Sequence, residues 1–324
     1  MIKKIESLEI VLPKNQLNLF GYKKYFKSFV QLYEKNKLPN AILLSGPKGL
    51  GKATFAYHFI NYILSRNDTN MYSVENMTIN PKSLCYKSLL NNTNPNFALL
   101  ETDTEEENIK VDKARDIISF LSKSTYSSNI KIILIDNAEY LNNHAANALL
   151  KALEESNNRT FFFIIHNSYK KILDTIRSRC IEFKFFFTIP EKEEILKNIV
   201  KFYDTEFNLN NIDDSFYFDT PGNILRYLVI FKDSNINLSK NKLECILYLI
   251  DKYKHKNDGE LLTIISSFVE LFYKELSISK NKDFNIYSMN KYKLLHQIND
   301  AKQFNLDKKN LFTSIIGTLH HETK

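Results

Sequence analysis

Residues 46 to 54 read Gly-Pro-Lys-Gly-Leu-Gly-Lys-Ala-Thr, a spacing that can cradle a phosphate. Gly46, Gly49 and Gly51 let the backbone bend so that its N–H groups turn inward, and Lys52 can neutralise phosphate oxygens. In the usual pattern a Ser or Thr follows the lysine and holds Mg²⁺ through its hydroxyl. Here that position is Ala53. Thr54 stands one residue on, about 100° further round a helix. The pattern is therefore a phosphate cradle without its ordinary metal ligand.

A second constellation departs in the same direction. Lys131-Ile132-Ile133-Leu134-Ile135-Asp136 is an apolar run ending in an acid, the form of a strand whose terminal carboxylate meets Mg²⁺ directly or through water. A Glu in the next position would take the proton of an attacking water, but Asn137 stands there, and an amide accepts no proton near neutral pH. Glu139 lies two residues further on, where a turning chain is expected to aim it elsewhere. Ala53 and Asn137 together point to a nucleotide site that does not turn over.

The elements that must position these residues alternate. Strand patterns cover Ala41 to Ser45, Phe97 to Glu101, Lys131 to Asp136 and Phe161 to His166, and Ile181 to Phe185 alternates as a last strand. Helical periodicity covers Tyr25 to Asn36, Thr54 to Ser65, Asp112 to Ser122 and His144 to Glu155. This order predicts a parallel sheet with helices on both faces. Residues 66 to 96, rich in Asn, Ser and Thr, read as a short helix or two between loops. Pro190 opens a helix to Tyr203, Pro221-Gly222 precedes another over Asn223 to Phe231, and residues 239 to 322 hold three or four amphipathic helices. Within His144 to Glu155, Ala145, Leu149, Ala152 and Leu153 make an apolar stripe for packing on the sheet.

Composition sets bounds on the class. The 324 residues are 44% hydrophobic and 25% charged, ordinary for a chain that buries a large core without staples. Cys85, Cys180 and Cys245 are too few and too scattered for a disulfide framework or a four-cysteine zinc site, which favours a reducing compartment. Met1 to Glu6 lacks an apolar export segment and no run reaches membrane length, so a cytoplasmic location is expected. The net charge of +7 rests on 38 lysines and only six arginines. The lysines read first as a solvated surface; attraction to nucleic acid is allowed. The seven histidines show no ligand spacing except His320-His321, which reads as a solvated end.

Two further stretches carry a family resemblance. Asn143-His144-Ala145-Ala146-Asn147-Ala148-Leu149-Leu150-Lys151-Ala152-Leu153-Glu154-Glu155, followed by Thr175-Ile176-Arg177-Ser178-Arg179-Cys180, resembles bacterial clamp-loader subunits of the AAA+ superfamily. Gly-Leu-Gly-Lys-Ala-Thr at 49 to 54 with Asp-Asn-Ala-Glu at 136 to 139 is most similar to the delta-prime class of that family. Matches run from about Pro13 to about Arg226, and Asn305-Leu306-Asp307-Lys308-Lys309 resembles the family's final helices. The Ser-Arg-Cys triplet is the most specific piece.

The resemblance implies an AAA+ domain over 1–186, a small helical lid over 187–233 and an all-helical collar over 234–324. Arg179 matches the family's arginine finger, which reaches the γ-phosphate bound by a neighbouring subunit. A guanidinium suits that task because it is permanently charged, planar and able to donate two parallel hydrogen bonds. Arg177 reads instead as half of a surface ion pair, and Ser178 and Cys180 as residues that shape turn and core. Asn167 and Arg226 fall at sensor-like positions, with a structural cap or surface group as the alternative for each. Arg115 resembles a family segment without an assignable task.

The implied function is a non-hydrolysing stator in a hetero-pentamer with delta and gamma/tau subunits, acting indirectly on the sliding clamp and primer-template DNA. ATP or ADP is the implied cofactor, with Mg²⁺ doubtful, and the zinc knuckle of several relatives is not expected because only Cys85 lies in the corresponding stretch. The alternatives are an active AAA+ ATPase, with Thr54 and Glu139 as substitutes, and a phosphoryl-transfer kinase on the same cradle.

Overall fold

The computed structural model describes residues 11–102, 108–123, 130–155, 159–203, 209, 212, 214–232, 234, 236–238, 241–256, 259–279, 284–304 and 306–323. Met1 to Glu6, read above for export signals, lies outside the described residues, as does Asn305. Two compact units divide the chain: Met1–Thr205 with Thr220–Asn223, and Glu206–Asp219 with Ile224–Lys324.

The first unit is built on five parallel strands, β1 (Ala41–Gly46), β2 (Phe97–Leu100), β3 (Lys131–Ile135), β4 (Thr160–Asn167) and β5 (Ile181–Lys184), in the order β2-β3-β4-β1-β5. Strands β1, β3 and β4 are buried along nearly their whole length, which is why their sequences are continuous apolar runs. Register pairs Ser45 with His166 and Gly46 with Asn167 across β1 and β4, and Ser45 with Lys184 across β1 and β5. The carboxyl ends of three strands therefore meet at one level.

Helices cover both faces. On one face lie α1 (Lys23–Glu34), α2 (Lys52–Leu64) and α3 (Leu84–Leu90), packed in an aromatic core of Tyr22, Phe26, Phe29, Phe55, Phe59, Phe163 and Phe185. Many of its rings meet edge to face, as Phe29 and Phe55 do at 5.0 Å and 85°, while Phe55 and Phe59 lie parallel. On the other face, α4 (Val111–Ser122) and α5 (Asn143–Glu154) cover Leu43, Ile133, Ile135, Phe162 and Ile164. Ala145, Ala146, Leu149 and Leu153 of α5 are in that core, as the apolar stripe predicts. The Asn142 side chain accepts the Ala145 N–H at 2.7 Å and starts α5. Buried Lys131 ends α4 by donating to the carbonyls of Phe120 (3.0 Å) and Leu121 (2.6 Å).

Two of the short elements that escaped the sequence reading bear on the site. A 3-10 turn, Ala138–Tyr140, follows β3, and α6 (Asp174–Arg177) precedes β5. Each spans about one turn, too short for an apolar period to repeat. The segment 66–96 holds α3 and is tied down by Asp68, whose Oδ2 accepts from Ser83 Oγ (2.8 Å), Leu84 N (2.7 Å) and Cys85 N (3.2 Å). Helix α7 (Ile189–Phe202) begins one residue before Pro190, because Thr188 and Glu191 form a capping box.

Helix α8 (Pro221–Phe231) is shared between the two units. The second unit continues with α9 (Lys242–Lys256), α10 (Gly259–Ser279), α11 (Phe284–Gln303) and α12 (Lys308–Thr323), four helices where three or four were expected. Phe216, Tyr227, Phe231 and Phe268 form its aromatic centre. Among the described residues no strand lies beyond β5, and no helix is long and apolar enough to cross a membrane.

Candidate functional site

The glycine loop runs from the end of β1 to the start of α2, so the first turn of a 13-residue helix points its unpaired N–H groups into the loop. Gly49 and Gly51 both sit at φ +86°, in the left-handed region that glycine enters without a Cβ clash. Lys52, predicted just outside the helix, is its first residue and is only 5% exposed. Its ammonium donates to the carbonyls of Gly46 and Pro47, each at 2.7 Å. Two of its three N–H donors are thus taken by the loop itself. Burial lowers its pKa to about 8, with Glu139 and Asp136 opposing that shift.

Asp136 follows β3 and is half-buried. Burial raises its carboxyl to about 6; Glu101 and Glu139 add to the shift, and Lys52 opposes it. Asn137 adopts φ +64°, a conformation asparagine tolerates, and opens the 3-10 turn. That turn corrects one expectation: Glu139 is not aimed away. Its Oε2 accepts the Asn167 N–H at 3.2 Å, and its charge bears on both Lys52 and Asp136. A turning chain was expected to carry Glu139 away, whereas the turn that left-handed Asn137 opens brings it back to the end of β4. Asn167 is at the end of β4 opposite Gly46, with its side-chain oxygen accepting the Tyr169 N–H at 3.2 Å.

The loop has a neighbour that sequence reasoning missed. Thr220 Oγ1 donates to the Lys48 carbonyl at 2.9 Å, and the Gly222 N–H donates to the Gly49 carbonyl at 2.9 Å. A Cβ at Gly49 would meet Thr220 Oγ1 at 2.2 Å and Asn223 Oδ1 at 2.8 Å. The only local signal was Pro221-Gly222, which was read as a break before a helix.

Arg179 follows α6 and is held within its own subunit. Its Nε donates to Glu154 Oε1 at 2.6 Å, its Nη1 donates to the Thr175 carbonyl at 2.9 Å, and Nη2 also pairs with Glu154. Arg177 pairs with Glu182 at 2.9 Å, as a surface pair should. Arg226 lies in α8 within the second unit. Cys180 packs partly against the sheet core, and burial pushes its thiol up to about 12, which removes it from thiolate chemistry. Cys85 is buried and likewise raised to about 12.

The residues present fit a phosphate group: two left-handed glycines, a helix start and a lysine converge on one loop. The usual hydroxyl ligand for Mg²⁺ is missing, because Ala53 offers no side-chain oxygen.

The family described as DNA polymerase III, delta subunit, matches residues 21–187. A delta' subunit of DNA polymerase III from Pseudomonas aeruginosa is 32% identical over 152 residues, 47% of this chain and 44% of the relative. A delta' subunit from Buchnera aphidicola is 30% identical over 191 residues, 58% and 55% of the two chains. The chain spans about half the length of these two relatives. A gamma subunit from Buchnera aphidicola is 24% identical over 316 residues, 95% of this chain and 77% of the relative. Among solved structures, a DNA polymerase III gamma subunit-related protein from Thermotoga maritima superposes with a TM-score of 0.48 at 16% identity, over 91% of this chain and 99% of that one.

Proposed function

The chain belongs to the DNA polymerase III delta-subunit family, and from that membership we propose that it is a delta-prime-type AAA+ clamp-loader subunit that does not hydrolyse nucleotide. The observation that carries this reading is the state of Lys52: its ammonium is satisfied by the Gly46 and Pro47 carbonyls at 2.7 Å, next to a helix start where Ala53 replaces the metal-binding hydroxyl. A lysine so placed must break two short hydrogen bonds before it can follow a γ-phosphate. Gly46, Gly49, Gly51 and Lys52 would hold the phosphates of ATP or ADP, with Ala53 and Thr54 at the helix start contributing backbone N–H groups. The chemistry such a nucleotide supplies here is binding energy and charge, with no cleavage step.

In this reading the chain works in trans. Arg179 leaves Glu154 to donate to the triphosphate of a neighbouring gamma/tau-type subunit. The exchange is cheap, because the pair is partly exposed and such pairs contribute roughly 0–1 kcal/mol. The partners are the delta and gamma/tau subunits in a hetero-pentamer that acts on the sliding clamp and primer-template DNA. The lid over 187–233, carrying Arg226, and the collar over 234–324 serve assembly. Asn167 would act as a sensor through its side-chain NH2, since Glu139 engages only its backbone N–H and Tyr169 only its side-chain oxygen. A protein of this kind works in the cytoplasm.

One observation favours a second reading. The charge of Glu139 bears on Lys52 and Asp136, which supports reading it as a general base for hydrolysis. Phosphate release by the isolated protein separates the two: turnover abolished by Glu139→Gln upholds an active ATPase, and none upholds the stator. In a reconstituted loader Arg179→Ala should lower DNA-stimulated ATP cleavage by the partner about 10³-fold, the scale of a lost finger. Unchanged cleavage rejects the assignment of Arg179.

A further inference from the structure

Ser45, His166 and Lys184, near the carboxyl ends of β1, β4 and β5, have no part in the function proposed above. Ser45, His166 and Lys184 share one register level across the three strands. They project to the same sheet face, where the positions two residues earlier on β1 and β4, Leu43 and Ile164, are core. An apolar continuation would have extended that core. Instead a cavity of about 500 Å³ opens there, a volume typical of small-ligand sites.

Its floor is polar and built. Ser45 is 3% exposed and His166 6%. The serine hydroxyl lies 3.4 Å from His166 Nδ1, and His166 Nε2 lies 2.9 Å from the Lys170 carbonyl. Ser45 also hydrogen-bonds the Glu182 carboxylate, helping to hold it below the usual carboxylate range. The rim is cationic: Lys170, Lys171, Arg177 and Lys184 face the carboxylates of Asp174 and Glu182, and Arg177 already takes Glu182 at 2.9 Å.

Aromatic rings stand beside the cations. Phe186, which also lines the cavity, is 66% exposed, and Tyr169, between Ser168 and Lys170 of the lining, is 82% exposed. The Phe186 backbone is pinned, since the Tyr25 hydroxyl donates to its carbonyl at 3.2 Å and accepts its N–H at 3.4 Å. A large ring held out in water on a fixed backbone, next to lysines and a polar pocket, matches what a base and its phosphate require: a stacking face and an adjoining positive charge.

We propose that this cavity binds a nucleoside phosphate, free or as one unit of a single-stranded nucleic acid, with Lys171 and Lys184 on the phosphate and Phe186 against the base. Sequence tolerance follows, because every base presents a π-face and the lysines meet only phosphate. Gly46 and Pro47 at the start of the glycine loop form one wall of the cavity, whereas Lys171, Lys184 and Phe186, the residues proposed to hold the ligand, lie outside that loop.

The test uses the full chain, with and without Lys52→Ala to remove the cation of the glycine loop, and fluorescence anisotropy of a labelled 15-mer of deoxythymidylate at several salt concentrations. Lys171→Ala and Lys184→Ala, both at exposed positions, should each weaken binding and lower the magnitude of the log–log salt slope by about 0.7, the single-strand value per phosphate contact. Phe186→Ala should weaken binding about 10-fold and leave the slope unchanged. Lys87→Ala on α3 removes the same charge elsewhere and should change neither. Displacement of the oligonucleotide by millimolar deoxythymidine monophosphate identifies the free nucleotide as the ligand, and its failure identifies the strand; both uphold the site. The proposal is overturned if the oligonucleotide does not bind, if the three variants behave like Lys87→Ala, or if polyglutamate of equal charge displaces the strand as well as unlabelled oligonucleotide does.

Discussion

Gly49 and Gly51 have the same φ of +86°, yet their surroundings differ, and that pair allows the contact on the glycine loop to be weighed. An alanine in the left-handed region costs roughly 1–2 kcal/mol, and reduced freedom of the unfolded chain returns about 0.4–1 kcal/mol. Both contributions are common to Gly49→Ala and Gly51→Ala. The nearest atom to a Cβ at Gly51 is Tyr22 Cε2 at 3.7 Å, an ordinary contact, so Gly51→Ala should cost about 1 kcal/mol. A Cβ at Gly49 lands 2.2 Å from Thr220 Oγ1 and forces the strap 220–223 away. The bonds from Thr220 Oγ1 to the Lys48 carbonyl and from the Gly222 N–H to the Gly49 carbonyl, both 2.9 Å, are then lost. At about 1 kcal/mol each they make Gly49→Ala costlier than Gly51→Ala by about 2 kcal/mol. Urea denaturation followed by circular dichroism measures the difference as a larger fall in midpoint at constant slope. Hydrogen exchange at the Gly222 amide gives a local reading: protection should fall in Gly49→Ala and persist in Gly51→Ala. Equal destabilisation of the two variants, with Gly222 equally protected in both, would refute the contact.

Asp136 is held near 6, above an unfolded value near 3.9, so its charging works against the fold as pH rises through that window. Asp136→Asn should therefore stabilise by ~1–3 kcal/mol at pH 7.5, and the gain should vanish near pH 4; urea midpoints across pH report it. His58 is the opposite case: fully buried between the Tyr72 hydroxyl and the Gln16 carbonyl, it is lowered by burial to about 3. Its unfolded form takes up a proton below about pH 6.5, so the fold loses stability as pH falls from there, by about 2 kcal/mol at pH 5. The same acid slope should be missing from His58→Gln, and a wild-type slope in that variant would assign it to other groups. Asp68→Ala removes the acceptor for Ser83, Leu84 and Cys85 at the start of α3 and should cost about 2–4 kcal/mol, read from thermal unfolding. A loss under about 0.5 kcal/mol would mean that water replaces the carboxylate there.

Periodicity and composition sufficed for whatever depends on a residue and its near neighbours in the chain. Strands β1, β3 and β4 were visible because burial on both faces demands unbroken apolar runs, and α5 because its stripe repeats at helical spacing. The glycine loop, Ala53 and Asn137 were equally legible, since each is defined by which atoms a single side chain has or lacks. Element ends were shifted where a cap decides them: Thr188 with Glu191 moved the start of α7 ahead of Pro190.

Tertiary structure alone decided which groups meet. Glu139 returns to the site because Asn137 turns left-handed, and Glu154 claims Arg179 across 25 residues of chain. Thr220 and Gly222 reach the glycine loop from about 170 residues away, and Ser45, His166 and Lys184 share a level only because β1 pairs with both β4 and β5. These encounters depend on strand order and register, which are set by the packing of the whole sheet and leave no periodic trace in the chain.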